Sequence, residues 1–359
     1  MILTETDPGR SSPRRPGRIL AFAALPSRQG GFAHLARLTD RSGLRERPEV
    51  GGFAVPGYRT SDAARALIVV LHEYQGPSRI ATTALTYLAF LEQAVRPDGL
   101  VYERLTANRH WADKPDRGEA WGRSVTAIGT AARMGTSKAI RDRAVKVFLR
   151  AAKVRSPDAR ASALAALGAV ALVRSRTDVS GVARGLLADC LEVIPRQASS
   201  GWAWPEERLA HNNAALCDAL IVGGAALGRP VPIRQGLAML GVLMDTETSE
   251  HGHLSPTGDL GRAAHEAGPH GRQRPADVAA IAEACAHAFA ITGDLHWRRG
   301  VRLAWNWFLG LNDLGVRVYD PETGIANDTL PPATSSGDSG AEATLAALST
   351  LQRAQDVGA

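Results

Sequence analysis

The chain has 359 residues, 45% of them apolar and only 5% aromatic, and a formal net charge of +6. That apolar content can bury a sizeable core, and few aromatics with abundant Ala and Gly suit close-packed helices better than a β-sandwich. No charge-free apolar run is long enough to span a membrane, and the arginines form no basic stripe interleaved with aromatics, so neither a membrane nor a nucleic acid is an expected partner.

The opening residues 1–17, MILTETDPGRSSPRRPG, lack the apolar stretch and cleavage site of a secretory signal and read as a disordered tail. Residues 18–359 then form one domain, expected in the cytoplasm. A short helix fits about 32–41. Helical patterns follow at 61–75, 81–95, 118–135, 138–152, 157–174, 180–195, 209–228, 231–246, 275–292, 295–312 and 340–354. Strand-like alternation is almost absent. Cys190, Cys217 and Cys285 fall inside these helices at no metal-ligand spacing and read as small buried residues. The HGH at 251–253 is a lone local pair, so neither a metal nor another cofactor is expected.

Two regularities organise the helices. Short turns near 76–80, 135–138, 175–180, 228–231 and 293–295 alternate with long connections at 96–117, 196–208, 247–274 and 313–339; only 153–156 breaks the pattern. Composition alternates too. The helices at 61–75, 118–135, 157–174, 209–228, 275–292 and 340–354 are mostly rich in small residues and apolar nearly all round, as in SALAALGAVAL. Those between them are bulkier or amphipathic, as in LHWRRGVRLAWNWFLGLN. A helix with neighbours on every side can be apolar all round, whereas an outer helix keeps one wet face. The pattern predicts an all-α fold, a toroid of six helical hairpins or (α/α)6 barrel. The inner helices then begin at the long-loop end, and their positive dipole ends converge on one cleft.

Unusual polar and aromatic residues gather in the segments leading to that end. They are Tyr58, Arg59, Asp62 and Arg65; Glu103, Arg109, Trp111, Glu119, Trp121 and Arg123; Trp202, Trp204, Glu206, His211, Asn212 and Asn213; His253, His270, Gln273 and Asp277; and Asp320, Asp328, Asp338 and Glu342. Indole faces stack on pyranose rings, and Asn, Arg and carboxylates bond hydroxyls, so the expected ligand is a mono- or oligosaccharide. Tyr58, Arg65, Arg109, Trp111, Arg123, Trp202, Trp204, His211, Asn213, His253 and Asp277 are the expected binding residues. Glycoside hydrolysis with inversion needs an acid and a base roughly 6.5–9.5 Å apart. Asp62, Glu119, Glu206 and Glu342 are the candidates, with Glu206 as acid because Trp204 and Pro205 could desolvate it, and Asp62 or Glu342 as base. The alternatives are a sugar 2-epimerase or isomerase that moves protons with His211, His253 or His270, and a sugar-binding protein without catalysis.

The motifs also resemble those of a known family. GYRTSDAARALI, NRHWAD followed by GEAWGRSVTAIG, WAWPEERLAHNNAALCDALI, GHLSPTG, WFLGLNDLGVRVYDPETG and SGAEATLAAL follow one another as in a bacterial six-hairpin family often loosely labelled glycosyltransferase. The resemblance covers about 57–354 and departs from the pattern at Ser61, where Asp is usual. It implies the same toroid, shared by glycoside hydrolases, disaccharide phosphorylases and N-acylglucosamine 2-epimerases. A sugar-nucleotide transferase finds no βαβ pattern or Gly-rich fingerprint here.

Overall fold

Helix composition sorts the chain into two rings. The computed structural model describes residues 25–48, 57–73, 79–173, 179–195, 202, 204–331 and 340–359, the side chains of 79–81 excepted. The inner helices are α2 (Thr60–His72), α4 (Glu119–Met134), α6 (Ala159–Val173), α8 (Asn213–Leu227), α10 (Pro275–Thr292) and α12 (Ala341–Asp356). The outer ones are α1 (Gln29–Leu38), α3 (Arg79–Ala94), α5 (Lys138–Ala151), α7 (Val179–Val193), α9 (Pro230–Thr246) and α11 (Leu295–Phe308). Each inner helix packs on the next, and α12 returns to α2, which closes the ring. Helices α3, α5, α7, α9 and α11 each pack on the inner helix before them, and α1 packs on α12. This is the expected (α/α)6 toroid. The expected tail, the turn residues 76–78 and 175–178, and Asp338 lie outside the described residues.

Burial follows composition. From Asn213 to Ile221, α8 is buried at every position. By contrast, α11 buries Trp297, Val301, Ala304, Trp305, Trp307 and Phe308 on one face and exposes Arg299 on the other. The inner ring is tightest between α4 and α6. A Cβ built on Gly129 would lie 2.1 Å from the Gly168 carbonyl oxygen, and one on Gly168 would lie 2.2 Å from that of Val125. Only glycine at both positions lets the two backbones approach so closely.

The first helix ends earlier than its apolar pattern predicts. Thr39 turns extended, and β1 (Thr39–Asp40) pairs with β2 (Gly43–Leu44). Two more short ladders were not legible as alternation. They join β3 (Tyr58–Arg59) to β4 (Arg104–Leu105), and β5 (Arg208–Leu209) to β6 (Arg262–Ala263). An isolated bridge joins Gln273 to Leu330. These pairings clip the long connections to one another, so the inner-helix starts are carried on a stitched frame rather than on separate loops. The three cysteines are free and buried, as expected. Among the described residues, no helix is long and apolar enough to cross a membrane.

Candidate functional site

The starts of α2, α4, α8, α10 and α12 surround a cavity of about 530 Å³. Asp62 on α2, Glu119 on α4, Asp277 on α10 and Glu342 on α12 all line it, with Arg65 and Arg123 one helical turn further in. Asp62, Glu119 and Glu342 each stand in the first turn, where the helix dipole favours an anion. Arg65 lies between two of them. Its Nη1 donates to Asp62 Oδ1 at 3.1 Å, and its Nη2 is 2.7 Å from Glu342 Oε1. Arg123 Nε donates to Glu119 Oε1 at 2.7 Å, and His211 Nε2 is 3.5 Å from the other oxygen of Glu119.

These environments drive the carboxyls in opposite directions. Burial, reinforced by the charge of Glu342, pushes Asp62 up to about 7. The Arg65 guanidinium holds Glu342 below the ordinary carboxylate range, although half of its side chain faces solvent in the mouth. Burial also works to raise Glu119, but the His211 ring and the charges of Arg123 and Arg65 outweigh it and hold this carboxyl well below its ordinary value. Burial raises Asp277, against the hydrogen bond it receives from the backbone of Asn212 at 2.7 Å. At neutral pH the mouth therefore offers one carboxyl poised to carry a proton beside two that are firmly ionised.

Several expected site residues lie elsewhere. Glu206 does not line the mouth. Arg160 on α6 grips both its oxygens, at 2.8 and 2.7 Å, and Trp204 Nε1 donates to it at 3.3 Å. Both oxygens of the expected acid are thus engaged by Arg160, away from the mouth. The Trp-lined cleft is not formed either. Trp204 and Trp121 are fully buried, Trp202 packs against the core, and Trp111 stacks on Tyr102 with centroids 4.9 Å apart. Trp111, Trp202 and Trp204 fasten connections to the barrel, and Trp121, on α4, donates its Nε1 to the Ala151 carbonyl at 3.0 Å. Tyr58 turns into the core and donates to Asp40 at 2.7 Å, and Arg109 is exposed at φ 63° outside the mouth. His253 bonds Asp313 at 2.8 Å, and Ser255 and Gln273 hold the other oxygen of that carboxylate. His270 also stands apart from the mouth, 3.7 Å from Glu266.

Two neighbouring asparagines exchange roles. Asn213, the expected ligand, is consumed locally: it bonds both the amide and the carbonyl of Ala210 and accepts from Arg160. Asn212 lines the mouth instead, with left-handed backbone at φ 58° and a buried side-chain amide nitrogen that meets no partner. Its position follows from a tight turn into α8, for which the sequence offers only the tolerance of Asn for that conformation. Arg160 went unnoticed because the connection before α6 is short. It also donates to the His211 carbonyl at 2.6 Å and so fixes the segment that presents His211. Arg160→Met should lower unfolding stability by about 2–4 kcal/mol, since it leaves Glu206 partly buried without its cation. Urea denaturation followed by circular dichroism measures this.

The long connection before α10 contains a further raised carboxyl, outside the mouth. Glu247 is buried and accepts from the Thr257 amide at 2.9 Å, and desolvation pushes it up to about 7. The native state then keeps a proton that the unfolded chain releases near its ordinary pKa of 4.5, so stability is lost as pH rises between those values. Glu247→Gln removes this slope. Its advantage over the parent should grow to about 2–3 kcal/mol at pH 8 and vanish near pH 4, as read from melting temperatures across that range.

With this geometry in hand, solved structures can be compared. A sugar epimerase from a ruminal bacterium is similar over 92% of this chain and 96% of its own, with a TM-score of 0.66 and 12% identity. Cellobiose 2-epimerase from Bacillus thermoamylovorans gives 0.65 and 12% over 90% of this chain and 98% of its own. A cellulase of C. cellulolyticum in complex with cellobiose gives 0.59 and 9% over 89% and 88%. The shared element is the (α/α)6 fold. None of the three is a glycosyltransferase, and the loose family label finds no support in them. No family model matches the chain, and no curated protein matches it.

Proposed function

We propose that the chain is a carbohydrate-active enzyme that hydrolyses a glycosidic bond, with Asp62 as general acid and Glu342 as general base. The observation that carries this reading is one guanidinium, Arg65, set between a carboxyl pushed up to about 7 and a carboxylate held ionised. Asp62 gives its proton to the glycosidic oxygen as the C–O bond breaks. Glu342 takes a proton from the water that adds to the anomeric carbon, and exchange with solvent restores both groups. Arg123, Asn212 and Asp277 bind hydroxyls. Among the described residues no Phe, Tyr or Trp lines the mouth, so the sugar would be held through charge-assisted hydrogen bonds rather than stacking. Both the epimerases and the cellulase among the similar structures have sugar substrates in their names, which supports the substrate class.

The experiment is a screen of aryl glycosides and disaccharides, with the first-formed anomer followed by proton NMR. Release of the inverted anomer supports the reading; absence of hydrolysis across the panel counts against it. One observation favours a second reading. His211 and Glu119 form a pair in the mouth that could move a proton at C2 of a reducing sugar, although His253 and His270 do not join it. Incubation in deuterated water separates the two, since epimerisation places deuterium at C2 and hydrolysis does not.

A further inference from the structure

Beneath the mouth lies a second cavity of about 440 Å³, lined by all six inner helices. Arg65 on α2, Arg123 on α4, Asn212 before α8 and Ala276 on α10 line both spaces, so the two abut across the barrel axis at that level. From Arg65 to His72 the chamber runs along two turns of α2, about 10 Å. Much of its wall is aliphatic, with Ile68, Leu164, Leu167, Val170, Val222 and Leu345 among its members, and no Phe, Tyr or Trp lines it among the described residues.

The polar groups of that wall are already engaged. The hydroxyls of Thr126, Thr130 and Ser349 donate to backbone carbonyls of the inner helices. Arg65 and Arg123 bond the mouth carboxylates. Asp218 pairs with His287 at 2.8 Å, and Arg353 grips Glu283 with two bonds of 2.6 Å. Burial and the charge of Arg353 push His72 down to about 4, so it carries no charge at neutral pH. The remaining arginine, Arg133, is exposed to solvent with Met134 at the far end of α4. A ligand in the chamber therefore meets mainly saturated carbon, and no buried charge that it must neutralise.

The two carboxyls proposed as acid and base differ in depth. The Asp62 side chain is 5% exposed and that of Glu342 is 48% exposed. In a hydrolysis with inversion, the attacking water and the leaving group stand on opposite faces of the sugar ring. Water activated by Glu342 then arrives from the solvent side. The oxygen protonated by Asp62 lies on the inner side, and the group it carries is directed down the axis. Arg65 is one turn below Asp62 on α2 and Ile68 one turn below that, so this direction leads into the chamber.

We infer that the chamber holds the leaving group, and that the substrate is a sugar linked through oxygen to a saturated aliphatic alcohol. This rests on the acid and base assigned to the mouth. It adds that the alcohol departing with the proton of Asp62 is apolar. A second sugar in that position would leave its hydroxyls without partners against the aliphatic wall.

Calorimetric titration of the full chain with methyl and n-hexyl 1-thioglycosides tests it, because the sulfur link resists hydrolysis and binding is read alone. Both anomers of glucose, galactose, mannose and cellobiose are used. Burying one methylene is worth roughly fourfold in affinity, so even with half of the chain covered the hexyl compound should bind at least about 30-fold tighter than its methyl counterpart. Ala279→Phe on α10 and Val170→Phe on α6 each put a ring into the chamber. Each should cut that gain to within about threefold and leave the affinity of the methyl compound unchanged, which also shows that the variant is folded with its mouth intact. The proposal is overturned if methyl and hexyl compounds bind alike to the parent, or if the gain survives in a filled chamber. Methyl compounds that bind without any gain from the chain defeat this inference and leave the reading of the mouth standing. No binding of either kind defeats the sugar reading, and this inference with it.

Discussion

Asp62→Asn should lower turnover of an alkyl glycoside or disaccharide by about 10²–10⁴-fold. The loss should be much smaller on a dinitrophenyl glycoside, whose leaving group departs without protonation. The argument rests on the position of Asp62, buried at the base of the mouth, 3.1 Å from Arg65 and pushed up to about 7 by desolvation and by the neighbouring charge of Glu342. An acid must hold its proton, so activity of the parent should fall as pH rises through about 7. A base must be ionised, so activity should also fall at acid pH, below the ordinary range of Glu342. Glu342→Gln should slow both substrate types alike. It should also move the alkaline limb to lower pH, because the charge that helps to raise Asp62 has gone. Initial rates of the parent and both variants, measured from pH 4 to 9 on both leaving groups, check every arm. Equal losses for Asp62→Asn on good and poor leaving groups would remove it as the acid.

Gly129→Val should prevent the ring from forming, or destabilise it by about 3 kcal/mol or more. The first carbon of any side chain there would lie 2.1 Å from the Gly168 carbonyl oxygen, 2.7 Å from its carbonyl carbon and 2.9 Å from its Cα, all backbone atoms of α6. Backbone cannot rotate away as a side-chain tip can, so α4 and α6 must move apart along their closest contact. Exchanging Gly for Ala inside a helix ordinarily gains about 1 kcal/mol, which is too little to offset that displacement. Gly181→Ala on α7 is the control. Its added carbon meets nothing within 4 Å, so the same exchange should leave stability unchanged or raise it by up to about 1 kcal/mol. Urea midpoints of the two variants against the parent give the comparison, and a fully stable Gly129→Val would refute the packing argument.

The toroid was legible because it rests on two redundant signals, loop length and helix composition, that both follow from which face of each helix is wet. Asp62, Glu119, Asp277 and Glu342 were legible for a related reason: each falls in the first turn of an inner helix, at the end where the long connections gather. Of the residues carried on the loops, His211, Glu103 and Asp328 do line the mouth, but the tryptophans do not. Trp111, Trp202 and Trp204 have the chemistry of sugar platforms, but large apolar surfaces are drawn to the barrel wall when a loop needs fastening. Glu206 looked like a desolvated acid until Arg160, 46 residues earlier in the chain, was seen to grip it. Sequence order gives no hint of that pairing, and the same holds for Tyr58 with Asp40 and His253 with Asp313. The exchange between Asn212 and Asn213 turns on a single left-handed residue, below the resolution of any periodic pattern.

The packing of α1 against α12 has a consequence for biosynthesis. The outer partner of the last hairpin is made before the other helices of the ring, and it buries His34, Leu35 and Leu38 in the finished ring. Until α12 is made, those side chains have no permanent surface to cover, and neither does the flank of α2 that α12 will close. The five hairpins between can pack in order as they emerge, each on the one before it. The nascent ring thus stays an open arc with two unsatisfied edges until α12 is made, and closing it joins segments roughly three hundred residues apart. Contacts of that separation form slowly. The open arc is therefore the species most exposed to aggregation and most dependent on chaperones.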